Sequence, residues 1–218
     1  MRTVWRLTRA QMHGSWLLLP AWMLVMLGWA LYSHRWLPVS ARRVEDLYGI
    51  FEYYLPLAAA IYLAGVPAFD REQGAAETHL SYVQLPAARL LLLALPRLAL
   101  WAATVALALA ITQGWYLSGQ TRELLQALGA PALALAGVSL AGGALSRHET
   151  GGLIAAFGWW AFDALGRGLF NKRFFLFPIS VITGGYTQAE QARNIAWVGV
   201  ACAAAALWAA HRRSWWIR

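Results

Sequence analysis

Apolar residues gather into six long runs, at positions 15–32, 49–69, 90–112, 125–145, 151–165 and 195–210, each separated from the next by charged or turn-forming residues. A helix needs about 20 mostly apolar residues to cross the hydrocarbon core of a bilayer, so this spacing predicts six membrane-spanning helices. An even number of crossings places both termini on one side. Tryptophans stand near many of the ends: Trp16, Trp36, Trp115, Trp197 and Trp208, with Trp215 and Trp216 just beyond the last run. Their amphipathic rings suit the headgroup level, so they are expected as interface anchors. Ahead of the first run, Val4, Trp5, Leu7, Thr8 and Met12 alternate with Arg2, Arg6 and Arg9, the pattern of a short amphipathic helix lying at the membrane surface. No small-residue cleavage site follows Tyr32, so the first run reads as a retained span rather than a signal peptide.

Two intervals depart from ordinary loops. Residues 174–183 read FFLFPISVIT, a largely apolar stretch split by Pro178 and closed by Gly184 and Gly185. Ten residues cannot cross the hydrocarbon, but they can dip in and return, so residues 170–190 are expected to form a re-entrant hairpin between spans five and six. The other interval, residues 70–89, is too polar to cross and too patterned for a flexible connector. Asp70, Glu72 and Glu77 come early, where acidic groups suit a helix dipole; Leu80, Val83 and Gln84 follow; and Pro86 stands where a new helix can begin. The expectation is a short surface helix that turns into span three. Alanine-rich stretches such as residues 201–206 favour close helix packing, and no internal repeat or linker divides the chain, so residues 1–218 read as one all-α membrane domain.

Composition narrows the function. Of 218 residues 60% are hydrophobic and only 13% charged, and the mean hydropathy is +0.47, leaving no room for a separate soluble catalytic domain. The net charge of +8 comes from arginines in short blocks flanking apolar runs, which points to anionic lipid headgroups as counterions rather than nucleic acid. Ten basic residues fall on the side of the termini and eight on the other, so the positive-inside count by itself does not orient the chain. The single lysine, Lys172, follows Asn171, so the Gly-Lys pair of a phosphate-cradling P-loop is absent, and any ATP must be bound by another chain. Cys202 is the lone cysteine and lies in an apolar run, as a small packing residue.

The order Glu72, Gly74, Glu77, Leu85, Pro86, Arg89 resembles the region between the second and third spans of ABC-2 type transporter permeases, where a glutamate, a glycine-threonine pair, a second glutamate and a leucine-proline-x-x-arginine recur. Here Ala75 takes the usual threonine position, and Glu77 lies nine residues before Pro86 where the common spacing is nearer six. Six spans, an amphipathic N-terminal helix and a re-entrant hairpin between spans five and six are similar to that family too, so the likeness covers essentially the whole chain. It implies that Glu72, Gly74, Glu77, Leu80, Val83, Pro86 and Arg89 belong to a coupling helix docking on a separate P-loop ATPase subunit, which binds ATP and Mg. It implies a multi-pass protein of the cytoplasmic membrane with both termini cytoplasmic. It also implies pairing with a second permease, identical or different, with the pathway between protomers lined by spans two and five and gated by the hairpin that carries Phe175 and Pro178.

Ionisable groups inside spans need a partner or water, which makes Glu52, Arg97 and Asp163 pathway candidates. The bland reading places Glu52 and Asp163 in interfacial water, with Asp163 meeting Arg167 at the i,i+4 spacing, and has Arg97 snorkelling to the cytoplasmic headgroups. Enzymatic readings fare poorly. Ser139, beside Gly137, lacks a histidine well inside a later span, as an intramembrane serine protease would need; His211 stands at the very end of span six. The histidines, His13, His34, His79, His148 and His211, fall in different segments with no metal-ligand spacing, and Asp46, Asp70 and Asp163 are too far apart for a paired-aspartate metal site. The expected function is the permease subunit of an ATP-driven exporter moving an amphipathic lipid, peptide or drug-like molecule. The alternatives are a secondary transporter or channel, or a non-transporting membrane anchor.

Overall fold

The computed structural model describes residues 15–33, 49–67, 86–115, 121–166, 173–177 and 187–211. Six α-helices lie in these stretches: α1 (Ser15–Ser33), α2 (Leu55–Ala64), α3 (Pro86–Trp115), α4 (Thr121–Ser146), α5 (Glu149–Gly166) and α6 (Gln188–His211). A π-helical turn, Gly49–Tyr54, leads directly into α2, and the described residues contain no strand. Three stretches are long and apolar enough to cross a membrane: Ala88–Gln113 in α3, Leu124–Ser146 in α4 and Gln188–His211 in α6. Shorter apolar helical stretches run over Pro20–Trp29 and Ile50–Ala64. The N-terminal amphipathic helix expected over residues 1–12, most of the 70–89 segment, and the Pro178 and Gly184 turn of the hairpin lie outside the described residues.

The centre of the bundle is α2. Nine of its ten residues are buried, because its sequence, LPLAAAIYLA, is apolar on every face. It packs against α4, α5, α3 and the turn that precedes it, while α6 lies along the far side of α4. The outer surface is apolar as well: Leu145, Ile154, Leu165, Trp197 and Trp208 are all more than half exposed. A helix bundle with greasy side chains on both its inside and its outside is built to sit in lipid.

In lipid, helices gain little from hiding apolar surface from one another, so close backbone contact and interhelical hydrogen bonds must hold them together. Glycines make the contact. A Cβ at Gly137 would strike the Gly199 carbonyl, and one at Gly199 would strike the Leu133 carbonyl, so α4 and α6 cross backbone to backbone. On the other side of α4, a Cβ at Gly152 of α5 would meet the Ser139 carbonyl at 2.6 Å and Ala64 Cα at 3.1 Å. In α6 this tight crossing lies at Gly199, just ahead of the alanine run at 201–206, in which Ala206 is buried while Ala201, Ala204 and Ala205 are exposed. A missing side chain admits a neighbouring backbone more closely than a methyl can, which is why glycines stand at the crossing.

Helices α4 and α5 are joined by two residues, Arg147 and His148. Arg147 takes the left-handed conformation with φ 59°, closing a turn in which the Ser146 hydroxyl donates to the Gly142 carbonyl at 2.8 Å and accepts from the His148 N–H at 3.2 Å. That brevity forces α5 to run back along α4 and brings Glu149 to the end of the bundle where α2 terminates.

Candidate functional site

Two polar centres sit at opposite ends of α2, and the first follows from what a helix end leaves unsatisfied. The last four carbonyls of an α-helix have no partner within it, and the helix dipole makes that end attractive to a cation. Since α2 stops at Ala64, Tyr62 contributes one of these carbonyls, and Arg97 of α3 donates to it from Nη1 at 3.1 Å. The guanidinium lies beside Gly65, where a Cβ would meet Arg97 Nη1 at 3.5 Å and the Glu149 carboxylate oxygen Oε2 at 3.1 Å. Three helices thus bring a cation, an anion and a helix-end carbonyl to the glycine at which the chain leaves α2. Snorkelling is overturned: Arg97 is 4% exposed, because a helix end supplies within the bundle what the headgroups would have supplied outside it.

At the other end the π turn passes into α2, whose second residue is Pro56. Two indoles donate to backbone carbonyls there. Trp101 Nε1, one turn along α3 from Arg97, donates to the Leu55 carbonyl at 2.9 Å, and Trp160 Nε1 of α5 donates to the Tyr53 carbonyl at 3.1 Å. Midway, the Ser139 hydroxyl of α4 donates to the Ala60 carbonyl at 2.7 Å. Ser139 is fully buried and serves as a bridge between helices, which is the packing role its glycine-rich surroundings suggest.

Both carboxylates of this end are buried. Glu52, in the π turn, is 0% exposed and Asp163, near the end of α5, is 2% exposed, so the expectation of interfacial water is corrected for both. Asp163 is held by neutral donors: its Oδ2 accepts Trp159 Nε1 at 3.0 Å, one turn back on α5, and the Leu176 backbone N–H at 2.9 Å. Arg167, the suggested partner, lies outside the described residues. The cause of the burial is the segment after α5, where Phe175, Leu176 and Phe177 are each 0% exposed. Phe177 stacks on Tyr53 with centroids 3.7 Å apart, Phe175 meets Phe177 edge to face at 5.6 Å, and the three pack with Ala60, Leu135, Ala156 and Ile195. Three residues, 175–177, therefore reach into the bundle among the π turn, α4, α5 and α6 and cover Asp163.

Of the residues singled out in the sequence, Asp163 and Phe175 come together at this end through the 175–177 segment, Glu52 is buried in the π turn, and Arg97 stands at the other end. Pro86 opens α3, as its position suggests, and Arg89 follows in the first turn, half-buried. Glu72, Gly74, Glu77, Leu80, Val83 and Pro178 lie outside the described residues. Sequence reasoning missed Gly65, Trp101, Tyr53, Trp159, Trp160 and Glu149. One signal was present, since Trp159 and Asp163 stand at the i,i+4 spacing that lets side chains meet on a helix. Among the described residues no group of three or more His, Cys, Asp or Glu could hold a metal ion, and His148 and His211 are exposed. Comparison with family models, with curated proteins and with solved structures finds no match.

Proposed function

We propose that this chain is the membrane-spanning permease subunit of an ATP-driven exporter of the ABC-2 type, working with a separate P-loop ATPase that binds ATP and Mg. It crosses the cytoplasmic membrane six times with both termini in the cytoplasm, and it pairs with a second permease. The observation that carries this reading is how the motif segment is mounted. Its leucine-proline-x-x-arginine end opens α3 at Pro86, and α3 is tied to α2 by Arg97 on Tyr62 and Trp101 on Leu55. A push on residues 70–85 therefore meets two helices locked to each other rather than one that can slide. Closure of a pair of ATPase subunits against such a mount would tilt α2 and α3 together. The cargo is amphipathic, in keeping with the apolar faces of the described helices.

The test is purification of the tagged chain in mild detergent from its own cells, with identification of what accompanies it. A stoichiometric P-loop ATPase is the expected companion, and Glu77→Ala, or paired replacement of Leu80 and Val83 by Asp, is expected to detach or uncouple it while the chain stays inserted. An intact preparation with no ATPase would move the reading to a secondary transporter or an anchor.

A further inference from the structure

The segment after α5 presents a backbone N–H and two aromatic rings to a buried carboxylate. Leu176 N–H binds Asp163 Oδ2 at 2.9 Å, while Phe175 and Phe177, both fully buried, fill the space bounded by Tyr53, Trp159 and Trp160. Asp163 otherwise receives only Trp159 Nε1, so both its hydrogen bonds come from neutral groups, and among the described residues no cation reaches it. The basic residue of the segment, Arg173, is exposed and lies over the Phe174 ring, with its carbonyl accepting from Asn194 Nδ2 at 3.4 Å. What the carboxylate and its aromatic walls hold, in shape and chemistry, is an N–H donor carried on an apolar aromatic body.

We propose that Asp163, Tyr53, Trp159 and Trp160 form a binding site for amphipathic amines, and that residues 175–177 occupy it as an internal stand-in for the ligand. A ligand enters this site by displacing the segment. It must supply an N–H to Asp163 Oδ2 and an apolar body to the space filled by Phe175 and Phe177. An ammonium does this better than the neutral Leu176 amide, because a charge-assisted hydrogen bond to a carboxylate is roughly twice as strong as a neutral one. The faces of tyrosine and tryptophan attract a cation further. Anionic amphiphiles are disfavoured by the Asp163 carboxylate. Occupation by the chain's own residues lowers the apparent affinity in proportion to the fraction of molecules in which the site is free. The inference rests on the permease reading only in treating the ligand as cargo; binding itself needs no ATPase.

The experiment uses the purified full chain in detergent and two fluorescent probes, dansylcadaverine, which carries a primary ammonium, and dansylamide, which carries the same fluorophore without one. Dansylcadaverine is expected to bind saturably with a blue shift, and dansylamide to bind far more weakly. Asp163→Asn keeps an oxygen to accept the Leu176 N–H but removes the charge, and is expected to weaken dansylcadaverine binding about tenfold or more. Phe177→Ala loosens the segment from Tyr53 and is expected to tighten binding several-fold, an effect that a merely structural phenylalanine would not produce. Equal affinity for both probes, unaltered binding in Asp163→Asn, or unsaturable uptake would overturn the proposal, as would weaker binding in a folded Phe177→Ala protein. ATPase co-purification is scored separately, so failure of the amine site and failure of the exporter reading remain distinguishable.

Discussion

At Arg97 the guanidinium, the Tyr62 carbonyl and the Glu149 carboxylate converge on Gly65, with no room for bulk water around a residue that is 4% exposed. Arg97→Met keeps the side-chain length and removes the donors, leaving polar groups facing a thioether. Thermal unfolding in detergent should show a loss of about 1–3 kcal/mol, the usual consequence of orphaning a buried acceptor. Ser139→Ala removes one hydrogen bond between α4 and α2 and should cost only about 0.6 kcal/mol, the average for such bonds in membrane helices, with transport retained. Complete loss of activity in a well-folded Ser139→Ala protein would revive a nucleophilic role for it. Arg147 is a non-glycine residue at φ 59°, and Arg147→Gly should raise the unfolding midpoint by relieving about 1 kcal/mol of backbone strain. None of these local terms can be read from residue identity alone. The arginine at position 97 is equally compatible with headgroups or with a helix end, and only the position at which α2 stops decides between them.

Between elements, the α4–α6 crossing depends on two glycines whose missing side chains are filled by the opposite backbone. Gly199→Leu would drive a side chain into the Leu133 carbonyl and toward Ala134 Cα, 2.8 Å from the position of a Cβ. Overpacking of this kind costs about 1–3 kcal/mol or more, so the variant should lose its monodisperse peak in size-exclusion chromatography. Gly199→Ala should be milder in the same direction. Helix boundaries were legible from the apolar runs: the run at 125–145 lies within α4 (Thr121–Ser146), and the run at 90–112 lies within α3 (Pro86–Trp115). The second run was less so. Residues 49–69 look like one helix, whereas the described helix is a π turn and ten α-helical residues ending at Ala64, with Gly65 next. Pro56 and Gly65 mark both transitions, but apolar periodicity does not distinguish π from α winding over six residues.

In the molecule as a whole, three described helices meet the length and hydropathy required to span, and α5, at 18 residues, is shorter than these. Cys202 is the single cysteine, so a Cys202→Ser background permits labelling from one introduced thiol at a time. His148→Cys and Thr187→Cys flank α5, and both native residues are exposed. If α5 crosses, a membrane-impermeant maleimide should label position 187 in intact cells and position 148 only after permeabilisation. Labelling of both from the same side would show that α5 does not cross and would remove the six-span arrangement.

The amino-acid sequence by itself determined that this is an all-helical chain with long apolar segments, where most of those helices lie, and that α3 begins at Pro86. These features are local: they depend on run length, on helix-breaking residues and on the absence of polar side chains, and all are present within a window of about 20 residues. Only the tertiary structure decided what becomes of the polar residues those helices carry. Arg97 was joined to a helix end 35 residues away, and Asp163 to a backbone N–H 13 residues on, in a segment drawn into the bundle by two phenylalanines. A buried charge is settled by whichever donor or acceptor reaches it first in three dimensions, and that depends on where neighbouring helices start, stop and approach one another, which no local pattern contains.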